Sequence, residues 1–415
     1  MRLTIHRGSQ QIGGSCIELE SGSGDRLVLD VGRPLDAPRG ITGLLAETLD
    51  LSRPATVIIS HPHMDHWGLL NEVPANWPVW TGDKSGQLIR LTSELFNEPV
   101  GRHLHTWHAR SGAFNIGPFQ VTPHLTDHSA FDAYMLSIGC DGKTIFYTGD
   151  FRTHGRKSSL IERTLASVRG VDVLITEGTN LRSDKPVVQE ADLELEFVRL
   201  SERTPRHLFV DWSAQNIDRT VTLFRAARRS GRDLIVDLYA ADVLDTVAVN
   251  TAVPHPASPD FPELKVVITR RLAALYRRKG RDRFVSRHAE SPRGRSAASL
   301  VEGRPAIIMA RRSLVEDFAA KGLVFTERDA FVHSSWSGYL KARNGSVAWD
   351  KAQKVGADTC LIHTSGHASA DELARFANVL NPKRLVPVHG IQWDDHGLEL
   401  PPVMRLADGQ VWDVP

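Results

Sequence analysis

The chain of 415 residues is long enough to bury a substantial core and to form two domains. Its near balance of 50 basic and 49 acidic residues neither favours nor excludes a polyanionic partner. The first residues lack a signal-peptide core, and no apolar run approaches the roughly 18 residues of a membrane helix, so we expect a cytoplasmic protein without membrane contact. Cys16, Cys140 and Cys360 are odd in number and widely spaced, so they indicate neither a disulfide framework nor a cysteine zinc knuckle, and we expect small buried side chains.

Strand and turn patterns dominate residues 3–173, and the most informative of them ends in a cluster of histidines. The apolar run 55–59 predicts a buried strand, and the sequence His-Pro-His-Met-Asp-His follows it at residues 61–66. His61 and His63 are two residues apart, so both rings can turn to one side, while Asp65 and His66 begin a predicted helix. Imidazole and carboxylate together suit zinc or a similar ion, and two ions roughly 3.5–4 Å apart can clamp both oxygens of a phosphoryl displacement. We therefore expect one loop to serve two metal sites; a polar loop with chance histidines is the less favoured alternative.

The middle of the chain has a different secondary-structure pattern. Helical spacing at residues 193–200, 221–227 and 272–276 alternates with strand-like runs at 208–210, 233–238 and 306–309. This alternation predicts a small α/β domain with a parallel sheet. We expect domain limits of 1–182, 183–352 and 353–415, with the last segment returning to the first fold.

A basic stretch lies inside this middle segment. Between Lys265 and Arg295, arginine and lysine far outnumber Asp282 and Glu290. Arginine suits phosphate oxygens, so the stretch predicts salt-sensitive attraction to a nucleic-acid backbone. Its candidate substrate contacts are Arg277, Arg278 and Arg281. A solvated surface or a protein interface is the alternative.

The histidine loop resembles the signature of the metallo-β-lactamase superfamily, H-x-H-x-D-H followed by a distant histidine and a bridging aspartate. His128, after the strand-like residues 119–121, matches that histidine, and Asp150, at the end of the run 144–150, matches the bridge. The segment 27–32 is similar to the first motif, whose aspartate, here Asp30, supports the metal loop without binding the ion. His63 stands where flavin-linked diiron relatives carry glutamate, so the resemblance favours a hydrolytic metal pair.

Later segments resemble the β-CASP nucleases, the branch that contains ribonuclease J. They are the acidic motif 173–180 with Glu177, the histidine motif 362–369 with His363, Ser365 and His367, and the last motif 385–390 with His389. Segments 216–219 and 336–340 also resemble parts of the inserted domain of ribonuclease J. The resemblance implies an α/β fold: a metallo-β-lactamase αββα sandwich carrying an inserted α/β β-CASP domain.

The same resemblance assigns roles. Two divalent ions, Zn²⁺ or alternatively Mn²⁺ or Mg²⁺, would share Asp150. The other ligands would be His61, His63 and His128 for one ion, and Asp65, His66 and His389 for its neighbour. The catalytic residues would be Asp65, Glu177 and His367, with Glu177 orienting His367 to protonate the leaving oxygen or to steady the phosphate. His363 and Ser365 would contact phosphate. The alternative for His367 is a packed histidine with satisfied hydrogen bonds. The alternative for Glu177 is a capping or salt-bridged acid, which would be preferred without the resemblance.

The predicted activity is metal-dependent hydrolysis of phosphodiester bonds, endonucleolytic or from the 5′ end, with single-stranded RNA favoured over DNA. His389 supports RNA by resemblance, because DNA-processing relatives such as Artemis carry valine there. The alternatives are a lactonase or thioesterase, a DNA nuclease of the same branch, and a nucleic-acid-binding relative without catalysis. Residues 310–313 depart from the loop that forms the terminal-phosphate pocket in ribonuclease J-type enzymes, so the resemblance does not extend to a preference for the 5′ end. A homodimer is one expected form of assembly.

Overall fold

The computed structural model describes residues 1–38, 40–96, 99–183, 185–341, 347–391, 393 and 397–415. The chain divides into two compact units: the first is Met1–Val187 with Gly366–Pro415, and the second is Val188–Ser365. The units therefore change at residues 187/188 and 365/366. The domain limits expected from the sequence, at 182/183 and 352/353, stay a prediction.

Two sheets form the centre of the first unit. One consists of β1 (Arg2–Arg7), β2 (Cys16–Glu20), β3 (Arg26–Leu29), β4 (Thr56–Ile59), β5 (Val79–Gly82), β6 (Leu104–Trp107) and β20 (Val411–Asp413), in the order β20-β1-β2-β3-β4-β5-β6. The other consists of β7 (Phe114–Ile116), β8 (Phe119–Leu125), β9 (Tyr134–Cys140), β10 (Lys143–Tyr147), β11 (Val173–Gly178) and β19 (Arg384–Gly390), in the order β19-β11-β10-β9-β8-β7. The helices of this unit are α1 (Met64–Trp67), α2 (Asp83–Leu95), α3 (Ser159–Ser167) and α13 (Ala370–Leu380).

Strand alternation builds the layers of the first unit. On β4, Ile58 enters the core between the two sheets, whereas Val57 and Ile59 face the opposite side with Ile89 of α2. On the outer face of the second sheet, Phe146 packs with residues of α3 and α13. The order helix, sheet, sheet, helix is the αββα sandwich expected from the resemblance, so that prediction is confirmed.

The second unit contains a sheet in which every pairing is parallel. Its strands are β12 (Leu208–Asp211), β13 (Asp233–Asp237), β14 (Leu264–Val267), β15 (Gly294–Arg295), β16 (Ala306–Met309), β17 (Ala330–His333) and β18 (Asp358–Leu361), in the order β15-β14-β13-β16-β12-β17-β18. Its helices are α4 (Glu190–Arg203), α5 (Ile217–Arg229), α6 (Leu238–Ala248), α7 (Arg270–Arg278), α8 (Asp282–Glu290), α9 (Ala297–Val301), α10 (Arg312–Ala319), α11 (Gly338–Lys341) and α12 (Val347–Lys354). The predicted small α/β domain with a parallel sheet is confirmed.

The three cysteines differ in their surroundings. Cys16 and Cys140 are buried as expected. Cys360 is only half-buried, because β18 is the edge strand of its sheet. In the part of the chain that the structure describes, no helix combines the length and the apolar character needed to cross a membrane.

Truncation on α13 should separate buried from exposed positions of one helix. Leu373 is 2% exposed and packs against the second sheet, whereas Val379 is 55% exposed. We expect Leu373→Ala to lower the free energy of unfolding by about 2–5 kcal/mol, because apolar area is no longer buried and a cavity remains. Val379→Ala should change it by less than about 0.5 kcal/mol. Denaturant unfolding measures both; equal losses would show that α13 does not pack as described.

Candidate metal centre

The candidate ligands lie at the carboxyl ends of strands in both sheets of the first unit. His61 and His63 follow β4, His128 follows β8, and Asp150 follows β10, while His389 lies within β19. Because β4 belongs to the first sheet and the other strands belong to the second, the cluster forms where the two sheets meet. Sheet proteins commonly gather polar side chains at strand ends, as the sequence predicts here.

Asp150 lies at the centre of this cluster. Its Oδ2 is 3.3 Å from His66 Nε2, 3.7 Å from His61 Nε2 and 3.9 Å from His128 Nε2, and its Oδ1 is 3.8 Å from His389 Nε2. The donor atoms of His61, His63, His128 and Asp150 all lie within 4.8 Å of one another, and so do those of Asp65, His66, Asp150 and His389. The structure therefore brings together the residues of both predicted metal sites, with Asp150 in each group.

Hydrogen bonds on the outer side of the imidazoles direct their remaining nitrogens toward Asp150. His61 Nδ1 lies 3.0 Å from Ser60 Oγ, and His66 Nδ1 lies 2.8 Å from Asp30 Oδ2. His128 Nδ1 lies 2.5 Å from the Gly366 carbonyl, and His389 Nδ1 lies 3.0 Å from Thr179 Oγ1. Such partners fix the tautomer and the ring orientation of histidines that bind metals. His63 has the reverse orientation, because its Nδ1 faces His128 Nε2 at 3.1 Å.

Asp30 supports the histidine loop from behind. Its Oδ1 accepts from the Ser60 amide at 2.8 Å, and its Oδ2 accepts from the Ser60 hydroxyl at 2.8 Å and from the Tyr147 hydroxyl at 2.7 Å. Asp30 itself has φ 59°, in the left-handed region that non-glycine residues rarely adopt. Next to it, a Cβ at Gly32 would overlap the Asp65 carbonyl, so the loop after β3 can approach the metal loop only with glycine there.

A buried ion pair joins the loops that carry His128 and Asp150. Arg152 Nε lies 3.1 Å from Asp127 Oδ1, and both side chains are 0% exposed. Asp127 Oδ2 also accepts from the Lys157 amide at 2.8 Å, and the Arg152 amide donates to the Asp127 carbonyl at 2.8 Å. The loop positions on either side of the cluster are therefore fixed to each other.

Glu177 positions His367 beside the cluster. His367 Nδ1 is 2.8 Å from Glu177 Oε2 and 3.6 Å from Asp150 Oδ2. Glu177 Oε1 accepts from the Phe151 amide at 2.8 Å, so both carboxylate oxygens have partners within the protein. Although Asp150, Glu177, His367 and His389 form a third group with the spacing of metal ligands, these hydrogen bonds favour an orienting role for Glu177.

The pKa shifts separate neutral from charged groups in the cluster. Burial, followed by neighbouring imidazoles, holds the pKa of His61 and His128 well below 6.5, and burial lowers the pKa of His63 to about 4. Neutral imidazole is the form that binds a metal. Burial also lowers the pKa of His367, but the charges of Glu177 and Asp150 outweigh it and raise this pKa to about 9. A divalent cation beside Asp150 would oppose that rise.

The donor set fits a cation. Among the residues that the structure describes, His61 Nε2, His66 Nε2 and both carboxylate oxygens of Asp150 are buried without a hydrogen-bond partner. Burial lowers the pKa of His66, but the charges of Asp150, Asp30 and Asp65 outweigh it and raise this pKa well above 6.5, so a proton on His66 Nε2 offsets the charge of Asp150 until a metal displaces it. The lone pair of His61 Nε2 and the carboxylate of Asp150 face the same buried space, which is favourable only with positive charge there. A divalent metal supplies this charge, and imidazole with carboxylate is the ligand chemistry of zinc and similar ions.

The predicted substrate contacts lie in the second unit. Burial, with the charge of Arg219, lowers the pKa of His363 to about 3. Arg277 and Arg278, at the end of α7, are exposed. Arg281 instead pairs with Asp242 at 2.8 Å.

The loop after β16, where residues 310–313 depart from the ribonuclease J pattern, forms ion pairs with other residues of the protein. Arg311 forms an ion pair with Asp237, and Arg312 Nε is 3.4 Å from Glu316 Oε1. Burial lowers the pKa of Arg311 to about 10. The charge of Arg311 is therefore compensated within the protein.

Sequence reasoning missed several residues that hold the cluster. They are Ser60, Asp127, Tyr147, Arg152 and Thr179. Ser60 and Asp127 directly precede His61 and His128, so adjacency to a candidate ligand was a signal for these two. Tyr147, Arg152 and Thr179 are polar residues near strand ends, and nothing in their local pattern distinguishes them.

Two family models match the chain. Residues 36–235 match the beta-lactamase superfamily domain, and residues 359–392 match the Zn-dependent metallo-hydrolase RNA specificity domain. The chain belongs to the metallo-β-lactamase superfamily. Its matches to several ribonuclease J proteins identify the β-CASP, ribonuclease J-like branch, as the sequence motifs predict. The family and the donor cluster together support the use of a divalent metal.

Among these relatives, ribonuclease J of Sinorhizobium meliloti is 22% identical over 378 residues, covering 86% of this chain and 62% of that protein. Ribonuclease J of Thermus thermophilus is 26% identical over 389 residues, covering 84% of this chain and 61% of that protein. This chain therefore spans about three fifths of the length of these relatives. An RNase J-like protein of Methanocaldococcus jannaschii is 29% identical over 192 residues, covering 43% of this chain and 42% of that protein.

A solved structure has the same fold. A protein of unknown function from Enterococcus faecalis V583 superposes with a TM-score of 0.75, covering 99% of each chain at 19% identity. At this identity the likeness establishes the fold alone.

Removing Asp30 should weaken metal binding without abolishing it. Asp30→Ala deletes the acceptor for His66 Nδ1, Ser60 and Tyr147. We expect about a 10- to 100-fold loss of metal affinity, the usual effect of losing a partner that orients a ligand. Asp50→Ala is the control, because Asp50 is exposed and its carboxylate accepts from Ser52. Competition with a chelator measures the affinity; a loss as complete as that of His61→Ala would make Asp30 itself a ligand.

Proposed function

We propose that this protein is a metal-dependent nuclease that hydrolyses phosphodiester bonds in single-stranded RNA. The observation that carries the proposal is the buried carboxylate of Asp150, whose two oxygens face imidazole nitrogens from two groups of candidate ligands. A site with one shared carboxylate and two groups of ligands suits two neighbouring cations. Phosphoryl displacement would benefit from such a pair, because two neighbouring cations can stabilise both the attacking and the leaving oxygen.

The chain would supply one set of ligands for each of two divalent ions. Zn²⁺ is the ion that best suits imidazole and carboxylate donors. The proposed ligands are His61, His63, His128 and Asp150 for one ion, and Asp65, His66, His389 and Asp150 for the other. When bound, the ions would lower the pKa of water to about 7 and offset negative charge on the phosphate. All other steps are carried by the side chains of the protein.

His367 and Glu177 form the proposed proton-transfer pair. Glu177 Oε2, 2.8 Å from His367 Nδ1, fixes the ring and stabilises its protonated form. In this orientation Nδ1 faces the carboxylates, and His367 Nε2 is the atom from which a proton would pass to the leaving oxygen. Burial raises the pKa of Asp65, but the charge of His66 and the contact of its Oδ2 with His389 Nε2 at 3.3 Å lower it further, so the carboxylate remains ionised and is proposed to orient the attacking water as a hydrogen-bond acceptor.

The assignment of RNA as the substrate is supported by the relatives and by candidate phosphate-binding residues outside the metal cluster. The matched model is described as an RNA specificity domain, and the relatives are called ribonuclease J. His363 and Ser365 are proposed to contact the phosphate backbone, and the exposed Arg277 and Arg278 to attract it. A small-molecule hydrolase such as a lactonase would share the histidine loop but would have no use for the arginines of α7.

The proposal is tested with the purified chain, labelled single-stranded RNA and DNA of one sequence, and model lactone and thioester substrates. We expect chelator-sensitive cleavage of RNA that is faster than cleavage of DNA. Asp150→Ala should lower the rate at least about a hundredfold, since several kcal/mol of charge stabilisation are removed. Asp50→Ala should leave the rate unchanged.

Other outcomes would redirect the assignment. Equal or faster cleavage of DNA would assign DNA as the substrate and keep the nuclease. Hydrolysis of the lactone or thioester without cleavage of either nucleic acid would replace the proposal with the small-molecule alternative.

The basic end of α7 should contribute to binding and not to chemistry. Arg277→Ala with Arg278→Ala should raise KM for RNA and lower the slope of log affinity against log salt by roughly 0.7 for each phosphate that is no longer neutralised. The control is Arg163→Ala with Arg375→Ala, which removes two exposed arginines from α3 and α13; because Arg375 pairs with Glu162 at 2.8 Å, its stability is measured alongside.

A separate Arg281→Ala variant tests the remaining arginine of the proposed set. Its ion pair with Asp242 predicts a loss of stability beside any loss of affinity.

If the α7 double variant keeps the wild-type salt slope and affinity, this surface faces solvent or a protein partner.

A further inference from the structure

Two segments leave adjacent strands at one edge of the sheet in the second unit. β17 and β18 are parallel neighbours, with His333 opposite Leu361 in the register. The residues that follow these strands, 334–336 and 362–365, therefore emerge side by side at their carboxyl ends. Neighbouring strands are roughly 4.8 Å apart. One ligand can therefore contact both segments.

Two aromatic rings are exposed at the end of the first segment and in α11, which follows it. Trp336 is 59% exposed and Tyr339 is 55% exposed, with ring centroids 5.4 Å apart and planes at 86°. The Trp336 ring lies against Gly338, where a Cβ would overlap it. Glycine at this position lets one part of the indole pack on the backbone while the rest faces solvent.

The backbone that carries Trp336 is held in place. His333 Nδ1 is 3.1 Å from Asp211 Oδ2, and its Nε2 is 3.2 Å from the Trp336 carbonyl. The Tyr339 amide donates to the same carbonyl at 3.0 Å. An exposed tryptophan on a braced turn loses little conformational freedom when a ligand binds it.

A buried arginine ties both segments together. Arg219 and Glu190 form an ion pair with both side chains 0% exposed, and Arg219 Nη1 donates to the Ser334 carbonyl at 2.9 Å. Ser334 Oγ donates to the Ile362 carbonyl at 2.6 Å. Ser334 lies two residues before Trp336, and Ile362 directly precedes His363. The hydrogen bond between them therefore fixes the positions of Trp336 and His363 relative to each other.

We propose that Trp336 is a stacking surface for one base of single-stranded RNA whose adjoining phosphate contacts the segment 362–365. This inference rests on the proposed function, since it takes RNA as the ligand. Every base offers a flat π face, so such a contact adds affinity without selecting sequence. A braced indole beside histidine and serine donors matches a base and its phosphate, which a single nucleotide presents together.

The test measures binding of labelled single-stranded RNA to the full, metal-loaded chain in a His367→Ala background, so that the strand survives. Adding Trp336→Ala should weaken binding about 5- to 100-fold. Trp336→Phe should recover most of the affinity, because a phenyl ring also stacks. Val324→Ala is the control, since Val324 is 51% exposed in the same unit and aliphatic. Thermal unfolding of each variant verifies the fold.

A strand with one abasic site, moved through each position in turn, locates the stacked base. In the parent, one position should weaken binding, and Trp336→Ala should remove that sensitivity, since contacting groups are not additive. Unchanged affinity in Trp336→Ala, or additive effects at every position, would overturn the stacking surface alone. A change in molecular mass with unchanged affinity would overturn it in favour of an interface between copies of the chain. A parent that binds no RNA would overturn the proposed substrate as well.

Discussion

The first unit depends on one unfavourable placement: a carboxylate is buried at the junction of two sheets, and neither oxygen has a hydrogen-bond partner among the described residues. Asp150 is 2% exposed; burial holds the pKa of His61 and His128 well below 6.5, whereas neighbouring carboxylates raise the pKa of His66 and His367 above it. Such a site is stable only with positive charge in its centre. Cation binding and folding are therefore linked, because the same charge that fills the site offsets the cost of burying Asp150.

Around this centre, the outer hydrogen bonds work as a frame. Asp30 connects the end of β3 to the end of β4 through Ser60 and to β10 through Tyr147. The Arg152–Asp127 ion pair does the same for the loops after β8 and β10. Ligand atoms must be held to within a fraction of an ångström, and strand ends cross-linked by buried polar contacts are stiffer than free loops. The frame thus explains why so many buried polar residues surround the cluster.

The candidate ligands could be predicted from sequence because their spacing is local: two histidines at i and i+2 after an apolar run restrict where their rings can point. The sandwich followed from the family resemblance, whereas strand and helix alternation predicted the parallel α/β domain of the middle segment. The partners that fix the ligands could not be predicted in this way. His128 depends on a carbonyl 238 residues away and His389 on Thr179, 210 residues away, and nothing local in a sequence determines such meetings. The half-burial of Cys360 depends likewise on strand order, which places β18 at an edge.

The chain leaves the first unit at residue 187 and re-enters it at residue 366, so part of the cluster arrives only with the returning segment. His367 and His389 come from that segment, and the Gly366 carbonyl that orients His128 is its first residue. During synthesis, the histidine loop at residues 61–66 is made hundreds of residues before these partners. A nascent chain therefore carries an incomplete centre until the returning segment has left the ribosome, and contact order of this length slows the final assembly. The order of the segments along the chain therefore delays completion of the donor cluster until the returning segment has been made.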